Sequence, residues 1–256
     1  MTAVLPTLLL IALVQVPGEC RYEAERSVRS DANGATQLDL RAGAGSLQVI
    51  GRPGLTEVRV RARACASSQS LLEQLRVTAN RSGTTVAVET DEIEHDRDWS
   101  GEYARLDMVV EVPGGIAARM HDGSGEASIR GVGALTIQDG SGELVIDDVA
   151  GTLSVEDGSG ELSIRNVRGN VDILDGSGEV EVIDVTGTVT VRDGSGTIRV
   201  DRIGGSVRVL DDGSGEVDAT GVGGDLEVRA GRFERIRYAD IRGTVDLPPP
   251  RRRGRR

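Results

Sequence analysis

Residues 157–174 read DGSGELSIRNVRGNVDIL, two nonapeptides of one design. DGSGELSIR and NVRGNVDIL both place glycine fourth and aliphatic residues sixth and eighth. In the first half Leu162 and Ile164 share one face while Ser163 and Arg165 share the other. In the second, Val171 and Ile173 point inward while Asp172 and Leu174 point out. Alternation over four or five residues marks a half-buried β-strand. The glycines between strands supply positive φ or allow backbones to approach closely.

The phrase repeats along the chain. DGSG recurs at Asp122, Asp139, Asp157, Asp175, Asp193 and Asp212, at intervals of 17, 18, 18, 18 and 19 residues. One strand cannot bury its apolar face alone, so equivalent strands must stack into parallel ladders. The expected fold is all-β: a single elongated parallel β-solenoid, β-helix- or β-roll-like, with coils of about 18 residues made of two nonapeptides. Each coil then rises by about the 4.8 Å strand spacing. Stacking predicts one aliphatic column of Val149, Val167, Val185, Ile203 and Val222, and another of Leu144, Leu162, Val180, Ile198 and Val217. Such a core is thin, which fits an aromatic content of 2% and the lack of any aromatic residue between Tyr103 and Phe233. Phe233, Ile236 and Tyr238, after the last repeat, are expected to close the open end of the stack, which would otherwise be an aggregation-prone edge.

Before Asp122 the same phrase loosens. Residues 43–49, GAGSLQV, repeat its G-x-G-x-L-x-V core, and TTVAVET (84–90) and ARLDMVVEV (104–112) alternate like strands. SSQSLLEQLRV, from Ser67, offers a capping serine and an apolar stripe of Leu71, Leu72 and Leu75, so a short helix is expected there. DEIEHDRDWSGE, from Asp91, reads as an exposed acidic loop. The expected divisions are a signal peptide at 1–18, an irregular N-terminal solenoid part at 19–113, the regular DGSGE solenoid at 114–247 and a Pro/Arg-rich tail at 248–256.

Export is read from residues 8–14, LLLIALV, too short to span a bilayer but the length of a signal-peptide core. No later segment is long and apolar enough to cross a membrane as a helix. The expected compartment is the periplasm or the cell surface. Cys20 and Cys65 then favour one disulfide, with two unpaired thiols as the alternative. Glu19 stands where a lipid-attachment signal at Cys20 would want a small residue. A net charge of −11 argues against nucleic acid as a partner. All 30 cationic side chains are arginines, and five of them crowd residues 251–256, either a solubilising tail or an anionic anchor.

CRYEAERS from Cys20, RPGLTEVRVRARAC (52–65), YARLDMVVEVPGG (103–115) and the DGSGE run together resemble the bacterial "putative adhesin" family, domains of unknown function with β-strand repeats. The resemblance covers nearly everything after the signal segment. It implies a surface or periplasmic role and transfers no catalytic residue.

The chemistry in the sequence is sparse. The nonapeptide resembles the calcium-binding repeat GGxGxDxUx, but the sixth place, aspartate there, is Leu144, Leu153, Leu162, Val171, Val180 or Val189 here. The DGSG aspartates, with Glu126, Glu143, Glu161, Glu179 and Glu216 nearby, are expected to line an exposed acidic edge. Each Asp would accept N–H bonds within its own turn, or the edge would hold divalent cations loosely. His95 and His121 have no triad setting, and the serines belong to repeated turns. No catalytic, cofactor-binding or metal residue is assigned. The expected function is an exported, non-enzymatic structural or binding scaffold of the cell envelope, meeting an envelope partner or another copy of itself. The alternative is a polysaccharide-active enzyme with its site in the irregular N-terminal half, around residues 91–103.

Overall fold

The computed structural model describes residues 20–91, 101–213, 215–229 and 233–249. The expected signal segment, the arginine run at 251–256, and His95 and Trp99 of the acidic stretch lie outside them. The N-terminal part comprises β1 (Tyr22–Asp31), β2 (Gln37–Arg41), β3 (Leu47–Arg52), β4 (Glu57–Ala66), α1 (Gln69–Gln74), β5 (Val77–Ser82), β6 (Thr85–Thr90) and β7 (Ala104–Pro113). The repeats follow as β8 (Ala117–Asp122), β9 (Ala127–Val132), β10 (Leu135–Asp139), β11 (Gly142–Val149), β12 (Leu153–Asp157), β13 (Gly160–Val167), β14 (Val171–Asp175), β15 (Gly178–Val185), β16 (Val189–Asp193), β17 (Gly196–Ile203), β18 (Val207–Asp212), β19 (Glu216–Val222) and β20 (Leu226–Val228). A short 3-10 turn (Phe233–Arg235) leads into β21 (Ile236–Ile241) and β22 (Val245–Asp246).

Two eleven-stranded sheets face each other across one aliphatic layer, and from β8 onward each coil gives one strand to each sheet. The repeats are stacked in parallel and in register, making a β-solenoid of about seven turns. Leu162 pairs with Leu144 and Val180, and Val167 with Val149 and Val185, so both expected aliphatic columns are present. Leu162, Ile164, Val171 and Ile173 are fully buried, whereas Leu174 points outward and is half exposed. Burying each such aliphatic side chain contributes about 1.5–3 kcal/mol, and the same contribution recurs at every coil.

Glycine at the fourth place of DGSG is dictated by this stacking. Gly142, Gly160, Gly178 and Gly196 hold φ between 132° and 156°, where L side chains are disfavoured. A Cβ on any of them would sit 1.6–1.7 Å from the carbonyl oxygen of the glycine one coil earlier. The corner at the far side of each coil uses a different device. Asp148, Asn166, Asp184 and Arg202 occupy the left-handed region, in the place taken by Gly131 and Gly221 in other coils.

The N-terminal part is not a run of looser coils in chain order. β2 lies between β6 and β8, and β3 between β7 and β9, so the coil of residues 37–52 sits inside the stack. β4 runs antiparallel between β1 and β7, and β5 runs antiparallel to β6. Alternation in the sequence marks which residues form strands but not their order, and inserting β7 between β3 and β4 leaves no local trace. The expected helix is α1, capped by Ser68, whose Oγ accepts from the Leu71 N–H at 3.3 Å; it buries Leu72. At the opposite end closure is only partial. Ile236 is half-buried, Tyr238 is 49% exposed, and the side chain of Phe233 lies outside the described residues.

Candidate functional site: the aspartate column

In every regular coil the strand of the β14 sheet ends with the motif aspartate on the inward face. β14 reads Val171-Asp172-Ile173-Leu174-Asp175, and burial alternates so that Val171, Ile173 and Asp175 all face the core. The parallel register then stacks Asp122, Asp139, Asp157, Asp175, Asp193 and Asp212 into one column. Their exposures are 1–6%.

This corrects the expectation of an exposed acidic edge. The glutamates Glu126, Glu143, Glu161, Glu179 and Glu216 are indeed exposed, but the aspartates lie inside the stack. The reason is parity: in V-x-I-x-D the acid is two residues beyond an inward aliphatic, so it must share its face. That signal is present in the sequence, where the DGSG turn that begins at the aspartate masks it.

The expected N–H bonds within each turn reach good geometry only at one end of the column; elsewhere the N–H groups of Gly123, Gly140, Gly158, Ser159 and Gly176 act on the acids from less favourable positions. The Ser195 N–H donates to Asp193 Oδ1 at 2.9 Å and the Gly215 N–H to Asp212 Oδ1 at 2.8 Å. Both carboxylate oxygens of Asp122, Asp139, Asp157 and Asp175, and Oδ2 of Asp193, are buried without a hydrogen bond of good geometry. At that end the 19-residue last interval shifts the β16–β18 register between Val191 and Arg192, bringing Arg192 opposite Asp211. A buried carboxylate without such bonds is costly. Burial accordingly pushes all six acids above the ordinary carboxylate range. Asp122 rises to about 7, through burial and then the charge of Asp139. Asp175 also rises to about 7, through burial and then Asp193 and Asp157, and Asp139 to about 6, through burial and then Asp157.

A shallow groove of about 440 Å³ runs beside the column, lined by Asp139, Asp157 and Asp175 and by the outward residues that precede the acids, His121, Gln138, Glu156 and Leu174. A second groove, of about 710 Å³, lies over β2, β6 and β8, with Asp39, Arg41, Glu89, Asp91, Arg119 and His121 on its walls. Asp91 thus reaches a groove, whereas Tyr103 at the other end of the acidic stretch serves the fold: its hydroxyl accepts from the Arg21 N–H at 3.0 Å. Among the described residues, no group of three or more His, Cys, Asp or Glu is arranged to hold a metal ion. No helix among them is long and apolar enough to cross a membrane.

Outside, charge is handled by pairing. Arg165 meets Glu181 at 2.6 Å, Arg199 meets Glu179, and Arg237 meets Glu216 at 3.2 Å. The Arg202 fork on Asp184, at 2.6 and 2.8 Å, holds that carboxyl below its ordinary range. Cys20 and Cys65 form the expected disulfide, Cα–Cα 5.3 Å apart, which fastens the start of the edge strand β1 to β4.

No family model matches the chain, and neither does any curated protein. Solved structures do resemble it. A "putative cell adhesion protein" from Clostridium sporogenes is 11% identical, over 88% of this chain and 98% of its own, with a TM-score of 0.36. A "putative adhesin" from Bacteroides fragilis is 12% identical, over 87% and 96%, with a TM-score of 0.34. A "putative lipid binding protein" from Parabacteroides distasonis is 10% identical, over 86% and 96%, with a TM-score of 0.32.

Proposed function

We propose that the chain is an exported, non-enzymatic structural or binding scaffold of the bacterial cell envelope. The observation that carries this reading is the in-register repetition of the outward face. Glu143, Glu161 and Glu179 stack coil on coil. A surface that repeats every coil suits extended contact, whereas catalysis needs a unique constellation in a cleft. The disulfide suits an oxidising compartment.

The test incubates the purified protein with isolated envelope fractions and, in parallel, with envelope polysaccharides. The scaffold reading expects saturable co-sedimentation with envelope and no release of new reducing ends. Release of reducing ends, lost on substituting groove residues such as Asp91 or His121, would replace it with the enzymatic reading.

A further inference from the structure

The acids of the column lack something that the fold itself does not supply. From Asp122 to Asp193, five carboxyl groups stand one above another at about the 4.8 Å strand spacing. Each is buried, nine of their ten oxygens have no hydrogen bond of good geometry, the turn N–H groups offset burial only in part, and neighbouring side chains lie within hydrogen-bonding reach of each other. Ionised carboxylates only accept, so five of them in contact would repel with no hydrogen bond between any pair. A proton placed on alternate members leaves no two ionised acids adjacent, and each proton makes one O–H···O⁻ bond, the short and strong kind, to a neighbour. Cations are a poorer fit: a column puts acids in line, not around a point, and no metal-holding group is found among the described residues.

We propose that Asp122, Asp139, Asp157, Asp175 and Asp193 form a proton-sharing carboxyl ladder inside the solenoid, which makes the stack a pH-responsive element that loosens as the ladder loses its protons. The surroundings leave the ladder to set its own charge. The first inward residues of the facing strands are apolar, among them Leu144, Leu162 and Val180. Glu143, Glu161 and Glu179 of those strands turn to solvent. On the ladder's own strands the preceding residues His121, Glu156 and Arg192 also point out, and Asp212 and then Asp211 raise Asp193 further. Arg235 acts on Asp212, beyond the register shift.

The sign follows from linkage. Acids with raised folded pKa values bind more protons folded than unfolded, so their contribution is complete below the unfolded value, about 4, and is lost as pH rises through 6–7. The experiment measures the melting temperature of the wild-type protein from about pH 5 to about pH 8.5, and repeats it for Asp157→Asn and with millimolar calcium against an equal ionic strength of sodium chloride. Infrared spectra in D₂O report the carbonyl stretch of any protonated carboxyl in the folded protein. Proton sharing expects a melting temperature that falls by about 5 °C or more across this range. It also expects a smaller fall in Asp157→Asn, no calcium-specific effect, and an acid carbonyl band that persists at about pH 6. A flat or rising melting curve, or a folded protein without that band, overturns the proposal. A calcium-specific rise at high pH together with loss of the band makes the column a cation site instead.

Discussion

Gly178 lies directly over the carbonyl of Gly160, so close that a Cβ on Gly178 would stand 1.7 Å from that oxygen. The same relation joins Gly160 to Gly142 and Gly196 to Gly178, at 1.6 Å in both cases. The fourth letter of DGSG is thus fixed by coil-to-coil contact as well as by its turn. Gly178→Ala should therefore cost more than about 4 kcal/mol, beyond the usual range for one substitution. Urea unfolding monitored by circular dichroism checks it, and a loss below about 1 kcal/mol would mean that the coils are spaced differently.

Core and surface of one coil should respond in opposite ways. Ile164 has no exposure and Leu174 has 48%. Ile164→Ala should lose about 2–5 kcal/mol, and Leu174→Ala should stay within about 0.5 kcal/mol. Equal losses at the two sites in chemical denaturation would contradict the assigned faces.

Most of this architecture is legible in the sequence. The alternation of Leu162, Ile164, Val171 and Ile173, and the spacing of the DGSG motifs, specify strands, faces and a parallel stack, because period-two burial and identical repeats leave little else. Two features are harder to read. The place of β2 and β3 inside the stack depends on pairing between residues far apart in sequence, such as Leu47 with Met108. The inward aim of the aspartates was legible from Val171-x-Ile173-x-Asp175 but ran against the rule that carboxylates face water.

At the coil corners, Asn166 holds φ at 56°. Asn tolerates this region and β-branched residues do not. Asn166→Val should cost about 1–2 kcal/mol, while Asn166→Gly should be neutral or slightly stabilising. Melting temperatures of the two variants decide it, and similar losses in both would point to side-chain contacts in place of backbone strain.

The Cys20–Cys65 bond closes a loop with a sequence separation of 45 residues and holds the edge strand β1. Reducing it should lower stability by about 2–4 kcal/mol. Amide exchange should quicken first in β1 and β4. Uniform exchange across all coils after reduction would show that the bond supports the whole stack.

The central claim is that the motif aspartates face the core. Titration of the side-chain carboxyl carbons by ¹³C NMR tests it most directly. If the claim holds, the DGSG acids separate from the surface acids, with Asp122 and Asp175 titrating near about 7 and Asp139 near about 6. Asp184, paired with Arg202, titrates below the ordinary value. If all six motif aspartates titrate together near about 4, as solvated carboxylates do, the column lies at the surface and the account is wrong.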